Sequence, residues 1–247
     1  MSETLVLLHG FSGTHRAWDG VIERLDPQRY RPLALDLPGH GAAAGHPWPI
    51  TFQACVQSVL AAVPTERFAL CGYSLGGRVA LHVALAAPAR VSRLALIGAN
   101  PGIDDAAERA ARLAADERLA QSLESEPFEQ WIESWRTQPL FAAEPPEVGR
   151  LAREDQRRNE PLALAAAMRG LSAGAMQPLW GRLGELAMPV ALLAGERDEK
   201  FRRLAERALP LLRDGSLTVL RGGHGGPLED PAGVAAVLEA GAPAGGA

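Results

Sequence analysis

Six short apolar runs punctuate the chain: Leu5–Leu8, Pro32–Leu35, Phe68–Cys71, Leu94–Ile97, Val190–Ala194 and Leu217–Leu220. Each is of strand length and bounded by Gly, Pro or Asp. None alternates apolar with polar, which is the pattern of a strand buried on both faces. Helical periodicity falls between the runs, over Trp18–Leu25, Phe52–Ala62, Gly76–Ala87, Arg202–Leu212 and Ala232–Glu239. Strands alternating with helices predict a parallel sheet joined by right-handed crossovers.

The alternation breaks once. Between Ile97 and Val190 no strand pattern appears, and helical periodicity covers Asp104–Leu123, Pro127–Arg136, Glu147–Arg158 and Pro161–Leu171. An insertion of this size between two sheet strands exceeds any ordinary connection, and such segments are usually functional. The expectation is a helical cap over residues 101–180, above the sheet edge where open α/β folds bind ligands. One domain is expected over residues 1–240. The tail, 241–247, is Gly, Ala and Pro, a disordered composition.

Composition narrows the function. A hydrophobic share of 47% and a charged share of 22% over 247 residues describe an ordinary globular chain, long enough to bury a full core. The net charge of −4 argues against a nucleic-acid or membrane-surface binder. No apolar stretch approaches a membrane span, and Met1-Ser2-Glu3-Thr4 enters the first apolar run without a basic leader. A cytoplasmic protein is expected, with Cys55 and Cys71 as buried free thiols. Lys200 is the only lysine among 25 basic residues, so arginine is the default cation here.

The pattern G-x-S-x-G occurs twice, at Gly72-Tyr73-Ser74-Leu75-Gly76 and at Gly170-Leu171-Ser172-Ala173-Gly174. As a nucleophile elbow it requires a strand before it and a helix after it. Ser74 has both, in Phe68–Cys71 and the apolar helix from Arg78. Ser172 follows an alanine-rich helical stretch inside the cap and reads as a loop residue. Ser74 is therefore the candidate nucleophile.

An elbow serine needs a base, and the base needs an orienting carboxylate, in the chain order Ser, acid, His. Only His224 follows the last strand, in Gly222-Gly223-His224-Gly225-Gly226. The loop after Val190–Ala194 offers Glu196 and Asp198. Asp198 lies farther into the loop, where it can turn toward His224, and is favoured. The oxyanion hole would combine the Leu75 N–H with the Phe11 N–H, the latter in His9-Gly10-Phe11-Ser12-Gly13 after the first strand. His9 and His40 read as loop-packing residues. No Cys/His cluster or acidic grouping points to a metal, and no cofactor is expected.

Taken together these pieces resemble the α/β-hydrolase superfamily, an α/β fold with a mostly parallel sheet flanked by helices and a helical cap between two strands. More narrowly the chain resembles the SHCHC synthases of the menaquinone pathway. The resemblance rests on Gly72-Tyr73-Ser74-Leu75-Gly76-Gly77-Arg78, Pro101-Gly102-Ile103, Glu108-Arg109-Ala110-Ala111-Arg112, Trp135 with Gln138-Pro139-Leu140-Phe141, Gln177-Pro178-Leu179-Trp180, and Gly195-Glu196-Arg197-Asp198-Glu199-Lys200-Phe201. It departs at Asn100, where a small residue is commoner, and in lacking a second histidine shortly after His224.

That resemblance implies a cofactor-free carbon–oxygen lyase that eliminates pyruvate from SEPHCHC to give SHCHC, the triad serine acting as base. It also implies that arginines matching Arg78, Arg112 and Arg157 hold the carboxylates, with Tyr73, Trp135 and Phe141 lining the pocket. The residues themselves add that Arg78 lies about one helical turn beyond Ser74. They add too that the cap, with nine arginines against fourteen acidic residues, is no general basic surface. The implied partner is a small polycarboxylate, and the protein a monomer or weak homo-oligomer. The alternative is a carboxylesterase or carbon–carbon bond hydrolase using Ser74 as a covalent nucleophile.

Overall fold

The computed structural model describes residues 2–45 and 49–240, so the tail 241–247 lies outside the described residues. Six strands form one sheet: β1 (Glu3–Leu8), β2 (Tyr30–Leu35), β3 (Phe68–Tyr73), β4 (Val91–Ile97), β5 (Val190–Gly195) and β6 (Gly215–Leu220). Their order is β2-β1-β3-β4-β5-β6, and every neighbouring pair is parallel. All six apolar runs lie in strands. Pro32 is accommodated because β2 is an edge strand, where a missing N–H faces outward at little cost.

The strands divide their side chains between two cores. Leu5, Leu7, Ala69, Cys71, Ala95 and Ile97 face one side, packed on Trp18, Val21, Val234 and Leu238. Val6, Leu8, Leu70, Leu94, Leu96 and Leu192 face the other, packed on Val59, Val79, Val83 and Ala205. This double burial is why the four central runs read as continuously apolar. The edge strands β2 and β6, expected to be buried on both faces, are only partly buried because each has a neighbour on one side alone. Both cysteines are free and buried, and burial pushes their thiols up, Cys55 to about 12.

The helices, in chain order, are α1 (Asp19–Ile22), α2 (Phe52–Ala62), α3 (Leu75–Ala86), α4 (Ala106–Ser125), α5 (Phe128–Arg136), α6 (Pro146–Gln156), α7 (Pro161–Gly170), α8 (Glu199–Ala208), α9 (Gly226–Glu229) and α10 (Pro231–Ala240). Two differ from the sequence expectation. The stretch expected over Trp18–Leu25 is a 3-10 turn at His15–Trp18, capped by the Thr14 side chain, followed by the single turn of α1. The helix expected over Arg202–Leu212 starts earlier, where Asp198 caps α8, and ends before Pro210. Proline there cannot supply the N–H that a continuing helix needs. Among the described residues no helix is long and apolar enough to cross a membrane.

The break in the alternation is occupied by α4–α7, all between β4 and β5. They enclose a core of their own: Ala120 and Leu123 from α4, Trp131 and Ile132 from α5, Leu164 and Met168 from α7. Phe11, from the loop after β1, packs into this core and ties the cap to the sheet edge. Strand order reverses direction between β1 and β3, the switch point where open α/β sheets form a crevice at the strands' carboxyl ends. The loops leaving β1 and β3 carry Phe11 and Ser74.

Candidate active site

Ser74 sits between β3 and α3 with φ +51°, a left-handed conformation that a non-glycine residue adopts only when its surroundings impose it. The imposing contacts are backbone. A Cβ on Gly72 would lie 2.3 Å from the Gly76 carbonyl oxygen, and one on Gly76 would lie 2.2 Å from that of Leu8. Neither backbone can yield, so the two glycines of the motif follow from the tightness of the turn.

His224 Nδ1 lies 2.6 Å from Asp198 Oδ2, and the carboxylate accepts, so the Nδ1–H donates. Nε2 is thereby left as an acceptor, 3.0 Å from Ser74 Oγ, whose hydroxyl donates. Asp198 and His224 are both buried, and the Phe201 and Tyr73 rings flank the imidazole at 4.4 and 5.4 Å. Glu196, the other carboxylate of that loop, is exposed, pairs with Arg197 and accepts from the Gly222 N–H. It makes no bond to His224 among the described residues. The glycine loop around His224 is gripped by Glu229, whose two oxygens accept from the N–H groups of Gly223 and Gly225 at 2.8 and 3.0 Å.

The N–H groups of Phe11 and Leu75 have no protein acceptor among the described residues. Leu75 opens α3, so no carbonyl stands one turn before it. The loop carrying Phe11 is held by His9, whose Nδ1 bonds the Gly10 carbonyl and whose Nε2 accepts from Leu37 N–H at 3.0 Å. Burial keeps His9 neutral, and His40, edge-on to it at 5.0 Å, is pushed down to about 3 by burial and by its neighbour. Both hold loops and neither touches Ser74.

A cleft of about 300 Å³ opens on Ser74 beneath the cap, and it contains Phe11, Arg78, Arg112, Trp135 and Lys200. A smaller lobe of about 80 Å³ continues past Ser74 to Tyr73, Phe141, His224 and the buried ion pair Arg136–Glu144. The structure therefore gathers Ser74, Tyr73, Phe11, Trp135, Phe141, Arg78 and Arg112 around one space. Arg78 donates to the Leu171 carbonyl at 2.6 Å. Burial, and then the charge of Arg112, lowers it to about 10, against the pull of Asp116. Burial pushes the Tyr73 phenol up.

Arg157 is not brought there, which corrects its assignment to the carboxylates. It stands at the C-terminal end of α6 on the exterior, where Nε and Nη2 close on the Glu129 carboxylate at 2.8–3.0 Å. The reason is helical phase: the inward positions of this turn are Asp155, Gln156 and Asn159, all buried. Ser172 is a turn residue as expected, but a buried one on the cleft wall, bonded to Asp116 at 2.7 Å.

Residues that sequence reasoning passed over also line the cleft, notably Asp116 and Lys200. Lys200 had a signal, as the single lysine of the chain. It also stands in the first turn of α8, where the helix dipole disfavours a cation, and among the described residues it has no ion-pair partner. Asp116 had only its i,i+4 spacing from Arg112, which marks an ordinary helix-surface pair and not a cleft residue.

Comparison with known proteins gives the family and the fold. Residues 5–237 match the model of the alpha/beta hydrolase family. A Klebsiella pneumoniae protein described as 2-succinyl-6-hydroxy-2,4-cyclohexadiene-1-carboxylate synthase is 36% identical over 244 residues, covering 95% of this chain and 91% of its own. A Bacillus subtilis protein described as a putative enzyme of the same name is 30% identical over 239 residues, covering 93% and 86%. The solved structure of MenH from S. aureus superposes with a TM-score of 0.90 at 30% identity, covering 96% and 92%. A carboxylesterase of Nitrososphaera gargenis, with a TM-score of 0.81 at 21% identity over 97% and 89%, shares the fold alone.

Proposed function

The chain belongs to the alpha/beta hydrolase family, and we propose that within it the protein is an SHCHC synthase, a lyase of menaquinone biosynthesis that eliminates pyruvate from SEPHCHC. The observation that carries this reading is the joining of Ser74 with Arg78 and Arg112 in one cleft of about 300 Å³. A triad alone serves any ester. Two arginines beside it suit a substrate bearing carboxylates, which guanidinium groups bind through paired, charge-assisted hydrogen bonds. The curated relatives bearing the synthase name point to the same reaction.

In this reading His224, aligned by Asp198, takes the Ser74 hydroxyl proton as Ser74 removes a proton from substrate carbon. The carbon–oxygen bond to the enolpyruvyl group then breaks, and pyruvate leaves after taking up a proton. Negative charge that develops on the substrate in the transition state is met by the Phe11 and Leu75 N–H groups, which need no reorganisation to receive it. Tyr73, Trp135 and Phe141 supply the apolar walls. We read the protein further as a cytoplasmic enzyme on a small polycarboxylate, independent of cofactors, monomeric or weakly homo-oligomeric, with residues 1–240 as one domain.

Incubation of the purified protein with SEPHCHC tests the reading, with pyruvate release as the signal. Mass spectrometry during turnover is expected to show unmodified protein, because a base mechanism forms no acyl-enzyme. Absence of pyruvate release would overturn the lyase assignment. A covalent adduct on Ser74 with this substrate would replace it with nucleophilic hydrolysis on the same triad.

A further inference from the structure

The second G-x-S-x-G serine ends on the wall of the cleft, in a chain of bonds that leads to an arginine. Ser172 Oγ accepts from the Gly174 N–H at 2.9 Å and donates to Asp116 Oδ2 at 2.7 Å. Both oxygens of Asp116 in turn accept from Arg112 Nε, each at 2.8 Å. Asp116 is 2% exposed while the Arg112 side chain is 41% exposed, so the carboxylate sits on the dry side of the guanidinium.

The choice of atoms differs from that of the two-pronged pairs in this molecule and is shared with Arg153 on Glu133. Arg157 on Glu129, Arg169 on Glu117 and Arg182 on Glu185 each spend both Nε and Nη2 on one carboxylate, which closes that side of the fork. Arg112 spends Nε alone. Among the described residues its two Nη groups have no protein acceptor, and the residue lines the cleft beside Arg78. The end of a guanidinium formed by its two Nη groups presents parallel N–H bonds that match a carboxylate. A flexible arginine must also be ordered before it can bind, and that ordering costs entropy which a fixed contact removes from the binding step.

We propose that Asp116, fixed by Ser172, is a positioning residue that holds Arg112 by Nε and presents its open Nη edge to a carboxylate of the substrate. This deepens the function proposed above and rests on its polycarboxylate substrate. The buried carboxylate also offsets the repulsion between Arg78 and Arg112, which otherwise opposes placing two cations in one cleft. Loss of the hydroxyl or of the charge frees Arg112 without removing it, so the penalty falls on binding rather than on the chemical step.

A double-mutant cycle separates this role from a merely structural one. Asp116→Asn is expected to raise KM for SEPHCHC about tenfold with kcat within threefold, and Ser172→Ala to raise KM two- to threefold. In an Arg112→Ala background either change is expected to add less than twofold, because the group through which both act is gone. Succinate, a plain dicarboxylate, serves as an independent probe, its Kd read by Trp fluorescence for the same proteins. Losses that multiply in the double variants, or a KM and Kd untouched by both single changes, overturn the proposal. Should Asp116→Asn fail to fold, Ser172→Ala in the two backgrounds decides it. Turnover of SEPHCHC without the coupling defeats this inference alone. Succinate binding with the coupling but without turnover defeats the proposed reaction alone, and a wild-type protein that neither binds nor turns over defeats both.

Discussion

Replacing Asp198 by Asn removes one charge and almost no volume, so its cost can be worked from the geometry. Asp198 Oδ2 accepts from His224 at 2.6 Å while Oδ1 accepts from the Phe201 N–H at 3.4 Å. Asn has one acceptor oxygen for two donors. If its NH₂ faces His224, Nδ1 must lose its proton, Nε2 gains it, and the imidazole can no longer accept from Ser74. If the oxygen faces His224 the tautomer survives, but the imidazolium formed during turnover loses its counter-charge. Two unit charges about 4 Å apart interact by about 4 kcal/mol at an effective dielectric near 20. At about 1.4 kcal/mol per decade that is roughly a thousandfold in kcat, and more where the wrong tautomer dominates. Pyruvate release measured through lactate dehydrogenase gives kcat, and thermal melting checks that the fold persists. Glu196→Gln, in the same loop but facing solvent, is expected to stay within threefold. An Asp198→Asn enzyme within tenfold of wild type, or a larger loss in Glu196→Gln, refutes this account of the triad.

Arg78→Ala and Arg112→Ala are each expected to lower kcat/KM about ten- to a hundredfold, the value of a charge-assisted contact of roughly 1.5–3 kcal/mol. Arg157→Ala, on the exterior, is expected to stay within about twofold, and equal losses in all three would show that the cleft does not select among them. Gly76→Ala places a Cβ 2.2 Å from the Leu8 carbonyl oxygen. Overpacking against backbone costs about 3 kcal/mol, or roughly 10 °C in Tm, whereas Gly181→Ala, with nothing within 4 Å, should leave Tm unchanged. His40 stays neutral in the folded protein down to about pH 3, while the unfolded chain protonates its imidazole below about 6.5. The unfolded state then binds more protons, so stability falls as pH drops through that window, by up to about 1.4 kcal/mol per unit from this group. Urea midpoints at pH 7 and pH 5 measure the fall, and a slope unchanged in His40→Gln would assign it elsewhere.

The four central strands were legible because burial on both faces leaves a continuous apolar mark, whereas the edge runs Pro32–Leu35 and Leu217–Leu220 are apolar although only partly buried. The elbow was legible because its glycines, its serine and its flanking strand and helix are contiguous, so local sterics and covalent order suffice. His224 and Asp198 could be inferred from chain order once the fold was in hand. The cap's existence followed from a missing strand pattern, but not the faces its helices turn inward. Arg157 shows the limit, since the helical phase that puts Asp155 and Gln156 inside points the arginine at Glu129 on the exterior. Asp116 and Ser172 show it more sharply. They are 56 residues apart, on α4 and in the turn after α7, and nothing in either local sequence marks them as partners. The i,i+4 spacing on α4 sets the carboxylate beside Arg112, but only the packing of α4 against the segment after α7 brings the hydroxyl to it. Periodicity reports how each segment divides its own surface between core and water, and contiguity reports turns. Which buried polar group answers another across the cap is decided by how the finished helices fit together, and that information exists only in the tertiary structure.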